Sequence, residues 1–219
     1  MDLNGILRFL AALKRNNNRE WFEKNKAIYL EAKNAFDDFL ELFHREVVKF
    51  DPRLAGLNPR KQAFRIYRDV RFSKDKRPYK VNMGAGFSPG GKMEQEPGYY
   101  LHVEPGNCFV AAGIYMPDSG NLAKIRQEID YNPEKLKKMM AGRSFKKFFA
   151  GFDDFDKVKT APKGYPKDHP QIDLLRHKSF IVSHAFTDAE VKKLTYFKKV
   201  AEVCRAAKPL NDYLNEALA

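Results

Sequence analysis

Between Phe64 and Met116 the chain consists of short alternating stretches punctuated by glycine and proline, and this run constrains the fold more than any other feature. From Phe64 the period is two, with Phe64, Ile66, Val70 and Phe72 on one face and Arg65, Tyr67, Asp69 and Arg71 on the other, the pattern of a half-buried strand. Tyr79 to Phe87, Gly98 to Glu104 and Cys108 to Met116 read as three further strands. They are joined by "SKDKRP", by a loop beginning at Pro89-Gly90-Gly91, and by "EPGN", all rich in turn residues. None of these links can hold the dozen or more residues of a parallel crossover together with its helix, so an antiparallel meander is predicted.

Helical patterns lie on both sides. Asn4 is placed to cap a short helix carrying Ile6, Leu7, Leu10 and Leu13. Asn17 and Glu20 have capping-box spacing for a second, in which Trp21, Ile28, Ala32, Phe36, Phe39, Phe43 and Val47 recur at helical intervals as far as Phe50. Asp51-Pro52 should stop it. After the strands, Ser119 to Asp130 carries an apolar stripe, Asn132-Pro133 opens a helix that Gly142 can close, and Ser144 to Ala150 allows one more turn. A short helix is expected near residues 170 to 177, a late strand at Phe180 to Phe186, and a helix over residues 188 to 207 capped by Thr187 and Glu190. Pro209 should separate a last short helix. No repeat or linker is visible, so the expectation is one α+β domain over residues 1–219, with one mainly antiparallel sheet flanked by helices at both ends.

The formal charge of +12 is unevenly placed. Residues 60 to 80 hold nine Lys or Arg against Asp69 and Asp75, and residues 157 to 178 hold six against Asp168 and Asp173, which leaves the rest of the chain nearly neutral. Basicity confined to two segments favours an anionic partner for those segments. No apolar run is long enough to span a membrane, and Asp2 stands where a secretory signal would be basic, so a soluble cytoplasmic protein is expected. Cys108 and Cys204 suggest neither a disulfide framework nor a zinc site.

Catalytic and cofactor motifs are largely absent. "GFSPGGK" lacks the spacing and the hydroxyl of a P-loop, and "HVE" at His102 to Glu104 lacks the P-C-x-x-C partner of a zinc deaminase. No metal and no cofactor is expected. The basic strand and turn remain: arginine offers a rigid fork and lysine a mobile point charge, beside Tyr67, Tyr79 and Asn82. Strict alternation puts Arg68 on the apolar face, where a buried, unpaired guanidinium would cost several kcal/mol, so Arg68 needs a partner, with Asp69 or Glu104 as candidates, or a ligand. His102 alternates with Tyr100 and Glu104 on one strand face, and the proline-braced loop "PKGYPKDHP" brings Lys163, Tyr165, Asp168 and His169 together.

The runs "FRIYRDVRFSKDKRPYKVNMGAGF", "GYYLHVEPGNCFVAAGIYMP", "TAPKGYPKDHPQIDLLRHKSF" and "NNREWFEKNKAIYLEAKNAF" resemble one family of bacterial conserved hypothetical proteins, a domain of unknown function. The resemblance covers nearly the whole chain and implies a single-domain protein. It brings no activity, cofactor or site residue with it.

The residues themselves support two main readings. In the first, a pocket holds a small phosphate- or carboxylate-bearing ligand: Arg65, Arg68 and Arg71 clamp it, Lys76, Arg77 and Lys80 complete the mouth, and Lys163 and His169 come from the closing loop. His102, with Tyr79 or Tyr100, would then be the acid/base group of an enzyme. In the second, the basic segments track nucleic-acid phosphates while exposed tyrosines among Tyr67, Tyr79, Tyr99 and Tyr100 stack on bases. A third reading, an interaction scaffold without a ligand, needs none of these side chains to converge. Neither the reaction nor the oligomeric state is encoded in a recognisable motif.

Overall fold

The computed structural model describes residues 3–92 and 95–219. The reading of Asp2 against an export signal, and the middle of the loop after Pro89-Gly90-Gly91, lie outside the described residues.

The first helix, α1 (Leu3–Arg15), buries the predicted stripe of Ile6, Leu7, Leu10 and Leu13, with Asn4 inside its first turn and not at its cap. Asn18, not Asn17, caps α2 (Arg19–Lys24), its side chain accepting from the Trp21 N–H. The single long helix expected from here to Phe50 is interrupted at Asn25, which separates α2 from α3 (Lys26–Val47). The Asn25 side-chain amide donates to the Trp21 carbonyl at 2.8 Å, a local bond that competes with continuation of the helix.

Four strands form one antiparallel sheet in the order β1-β2-β3-β4: β1 (Met83–Phe87), β2 (Gly98–Val103), β3 (Cys108–Ile114) and β4 (Phe180–Phe186). Between β3 and β4 come α4 (Ser119–Tyr131), α5 (Pro133–Ala141), α6 (Arg143–Lys146) and α7 (Ile172–Leu175). Gly113 in β3 has φ +120°, and a Cβ there would collide with the Phe180 carbonyl, so the close approach of β4 depends on glycine. After β4, Thr187 and Glu190 form the predicted capping box on α8 (Asp188–Val191). The last helix, α9 (Tyr196–Leu218), runs straight through Pro209, which therefore separates nothing. A proline inside a helix costs about 3 kcal/mol, and burial of Leu210, Tyr213 and Leu214 just beyond it outweighs that cost.

The expected strand at Phe64 to Phe72 does not form. Here the segment makes two isolated bridges, Ala63 with Ala85 and Tyr67 with Tyr79, and its alternation is not a sheet face, because Ile66 is buried while Phe72 is 96% exposed. Arg68 N donates to the Pro78 carbonyl, but Pro78 has no N–H to return, and the ladder stops there. The second expected strand accordingly shrinks from Tyr79 to Phe87 to Met83–Phe87.

Residue contacts divide the chain into two compact units. One comprises the chain up to Gly86, Tyr100–Val110 and Ala185–Glu202; the other comprises Phe87–Tyr99, Ala111–His184 and Val203–Ala219. In the first unit, α1 and α3 bury Leu10, Leu13, Phe36, Phe39, Leu40 and Phe43, with Phe22 stacked on Tyr79 at 4.0 Å and Phe39 on Tyr196 at 5.4 Å. In the second, Ile125, Ile129, Leu136, Leu175, Phe180, Leu210 and Leu214 form the buried centre. No helix among the described residues is long and apolar enough to cross a membrane.

Candidate functional site

The basic segment is organised by its two acids. In Asp69-Val70-Arg71 and again in Asp75-Lys76-Arg77, the carboxylate accepts both the backbone N–H and the guanidinium of the arginine two residues on, with side-chain contacts of 2.7 Å in each case. Asp75 also accepts from Arg68 Nη1 at 2.7 Å, and that guanidinium further donates to the Arg77 carbonyl at 3.1 Å and reaches Ser73 Oγ at 3.5 Å. Asp75 is thus the partner that Arg68 requires, in place of Asp69 or Glu104. The hydrogen bonds of Arg77, then Arg68, push the Asp75 carboxyl far below the usual range, and those of Arg71 lower Asp69. Two of the three arginines expected to clamp a ligand, Arg68 and Arg71, and Arg77 of the expected mouth are therefore engaged by carboxylates within the loop. Arg65 and Lys74 stand exposed, Lys76 Nζ bends back to the Val70 carbonyl at 3.1 Å, and Lys80 Nζ sits 5.5 Å above the Phe64 ring.

The loop's return is fixed at Tyr79. The Asn17 side chain donates to the Tyr79 carbonyl at 2.9 Å and accepts from the Tyr79 N–H at 3.1 Å, as a neighbouring strand would. The spacing of Asn17 to Glu20 marks it as a helix cap, and its long-range role has no local signal. Tyr79 itself is buried against Phe22, away from acid/base chemistry in solvent.

A second cluster is built on β2. Because side chains alternate along a strand, Tyr99, Leu101 and Val103 enter the core while Tyr100 and His102 occupy the other, half-exposed face, with Glu104 just beyond. Tyr100 Oη lies 2.8 Å from His102 Nδ1, and His102 Nε2 lies 3.3 Å from Glu104 Oε2. A carboxylate can only accept, so Nε2–H donates to Glu104 and Nδ1 accepts from the Tyr100 hydroxyl. Burial, reinforced by the Glu104 charge, pushes the Tyr100 phenol up to about 12, which keeps it a donor at neutral pH. Burial also lowers His102, against the opposing pull of Glu104, and the ring is neutral at pH 7. For Glu104, burial works upward, but hydrogen bonds from His102, Asn107 and Lys14 outweigh it and hold the carboxyl below its usual range. Lys14 Nζ, 3.4 Å from Glu104 Oε1, balances that charge.

Neighbouring residues hold the cluster in place. Phe109 of β3 stacks on the His102 ring at 4.5 Å and 15°, and Phe64 lies 6.2 Å from Tyr100. Asn82 Nδ2 is 3.5 Å from His102 Nδ1. Gly84 of β1 leaves room for the phenol: a Cβ there would stand 2.7 Å from Tyr100 Oη. The Tyr-x-His-x-Glu spacing marks the first three residues in the sequence. Phe109, Gly84 and Lys14 join them only through strand register and helix packing.

Lys163 and His169 belong to the second unit. Lys163 is exposed. His169 Nδ1 accepts the Gln171 N–H at 3.0 Å and Nε2 faces Asp130 Oδ1 at 2.9 Å, so both ring nitrogens are occupied in holding the loop. The loop is further tied down by Arg176, which donates to the Val158 and Lys159 carbonyls at 2.7 and 3.0 Å. Among the described residues no three His, Cys, Asp or Glu side chains group as metal ligands, and both cysteines are buried and outside any disulfide.

The structure is that of an α+β protein in which an antiparallel meander, extended by a late fourth strand, carries a hydrogen-bonded Tyr-His-Glu cluster. Residues 5–213 match the family described as "Conserved hypothetical protein (DUF2461)", and the chain belongs to that family. No curated protein and no solved structure matches it.

Proposed function

We propose that the half-exposed face of β2 binds a small anionic ligand, bearing a phosphate or a carboxylate, and exchanges a proton with it through Tyr100. The observation that carries this reading is the 2.8 Å bond from Tyr100 Oη to His102 Nδ1 with Glu104 behind the ring. In that order a ligand group at Oη is served by a phenol whose proton passes to the imidazole, while Glu104 stabilises the imidazolium as it forms. With its hydrogen given to Nδ1, Oη accepts from a protonated group of the ligand, while the amide of Asn82 can donate to the anion. Lys80 brings positive charge to the same side through Phe64, and Lys14 offsets Glu104, so the cluster does not repel an anion. The paired arginines Arg68, Arg71 and Arg77 have no part in this version of the site.

Binding is tested by titrating inorganic phosphate and acetate while following the His102 ring signals by NMR. Saturable shifts at His102 are expected for at least one of the two, weakened in Lys80→Ala and accompanied by an altered His102 titration. If neither anion perturbs His102 in a saturable way, the reading fails.

A further inference from the structure

The structure assigns a separate binding surface to the basic segment, and we infer that residues 64–80 form a stacking platform for single-stranded nucleic acid. This goes beyond the ligand site on β2: it shares Phe64 and Lys80 with that site but rests on Tyr67, Phe72 and the cations of the loop. Three aromatic rings within nine residues are left open to solvent: Phe64 at 37%, Tyr67 at 48% and Phe72 at 96%. Two are backed by the protein and so are held in place, Tyr67 by Phe22 and Tyr79 at 6.1 and 5.4 Å, and Phe64 by Tyr100 at 6.2 Å. Phe72 stands beyond them, with the Arg71 guanidinium 5.9 Å from its ring centre.

The charge around these rings is positive even after the internal pairs are counted. Asp69 neutralises Arg71, and Asp75 is shared by Arg68 and Arg77, which leaves one charge over. Arg65, Lys74 and Lys76 add to it. Exposed rings with cations at intervals between them meet the two needs of an unpaired strand, a surface for bases and a countercharge for phosphates. A duplex satisfies only the second, because its bases are already stacked. A bilayer surface also attracts cations and an apolar tip, but Phe72 is flanked by Arg71 and Ser73, and the other two rings are anchored against the protein body, where they cannot enter lipid. The two Asp-x-Arg turns hold the segment in its shape before any ligand arrives, which lowers the ordering cost of binding.

The test is fluorescence anisotropy with labelled oligo(dT) and oligo(rU) of about 15 nucleotides, a duplex of equal length, and anionic phosphatidylserine vesicles as a separate arm. Saturable binding of a single strand at low salt, weaker for the duplex, is expected. Phe72→Ala should weaken it about tenfold, and this variant keeps its fold because the ring touches so little. Lys74→Ala with Lys76→Ala should reduce the slope of log affinity against log salt by roughly 1.4, at about 0.7 per cation for a single strand. His102→Gln should leave oligonucleotide binding unchanged, so failure here is distinct from failure of the β2 site. No single-strand binding at low salt, affinity unchanged in Phe72→Ala, or binding to vesicles without binding to oligonucleotides would each overturn the inference.

Discussion

At the scale of single residues, small differences in chemistry decide what the cluster on β2 can do. Gly84 is the clearest case, because the absence of a side chain gives Tyr100 the space to reach His102. Gly84→Ala should displace the phenol and remove its hydrogen bond to Nδ1. That bond favours the neutral ring, so the His102 pKa should rise in the variant, as read from the ring-proton titration by NMR. Gly56→Ala is the control, since a Cβ at Gly56 meets nothing within 4 Å. An unchanged His102 titration in Gly84→Ala would mean that Tyr100 does not govern the imidazole. The alternation of Tyr100, His102 and Glu104 is plain in the sequence. Their hydrogen bonding is not, since period two places side chains on a face without saying which neighbours cover it.

At the scale of elements, expectations held where the determining residues are close in sequence and failed where they are distant. The capping box at Thr187 and Glu190, the proline start of α5 and the four strand positions from Met83 onward all rest on patterns a few residues long. The segment from Phe64 to Phe72 has an equally good strand pattern, yet Pro78 opposite Arg68 breaks the ladder, and the Asp-x-Arg turns supply a competing local structure. Its link to the rest of the fold is Asn17, which makes both hydrogen bonds to the Tyr79 backbone. Asn17→Ala leaves a backbone donor and acceptor without that partner, and a loss of about 1–3 kcal/mol is expected, measurable as a lowered urea midpoint at unchanged slope. Proteolysis within residues 64–80 should quicken in the same variant. Pro209 shows the converse: a strong local breaker is overruled because the residues after it are buried.

At the scale of the whole molecule, burial of histidine ties stability to pH. His102 in one unit and His177 in the other are both lowered by burial from an ordinary value of 6.5; at His177, Lys157 adds to the lowering while Asp154, Asp156 and Asp173 oppose it. In the unfolded chain both rings take up protons as pH falls through 6.5, while the folded rings resist, so the unfolded state binds more protons. Stability should therefore fall as pH drops from about 7 to about 5, with the loss complete below the folded pKa values. Asp153, whose carboxyl is raised by burial, acts in the opposite direction at pH values above 3.8. Thermal unfolding across this range should show a falling Tm in the parent protein and a shallower fall in His102→Gln; equal slopes would assign the acid sensitivity elsewhere.

The α+β class, the antiparallel meander, the confinement of charge to two segments and the shared face of Tyr100, His102 and Glu104 are legible in the order of the residues alone. These follow from periodicity, turn chemistry and charge counts, all of which act over a few residues. The pairing of Arg68 with Asp75, the projection of Phe72 into solvent, the hold of Asn17 on Tyr79 and the stacking of Phe109 on His102 emerge with the folded chain. One cause underlies all four. A side chain's partner is set by what the folded backbone brings beside it, and strand register, a missing proline N–H or a turn can reassign that partner while the local pattern stays as it was.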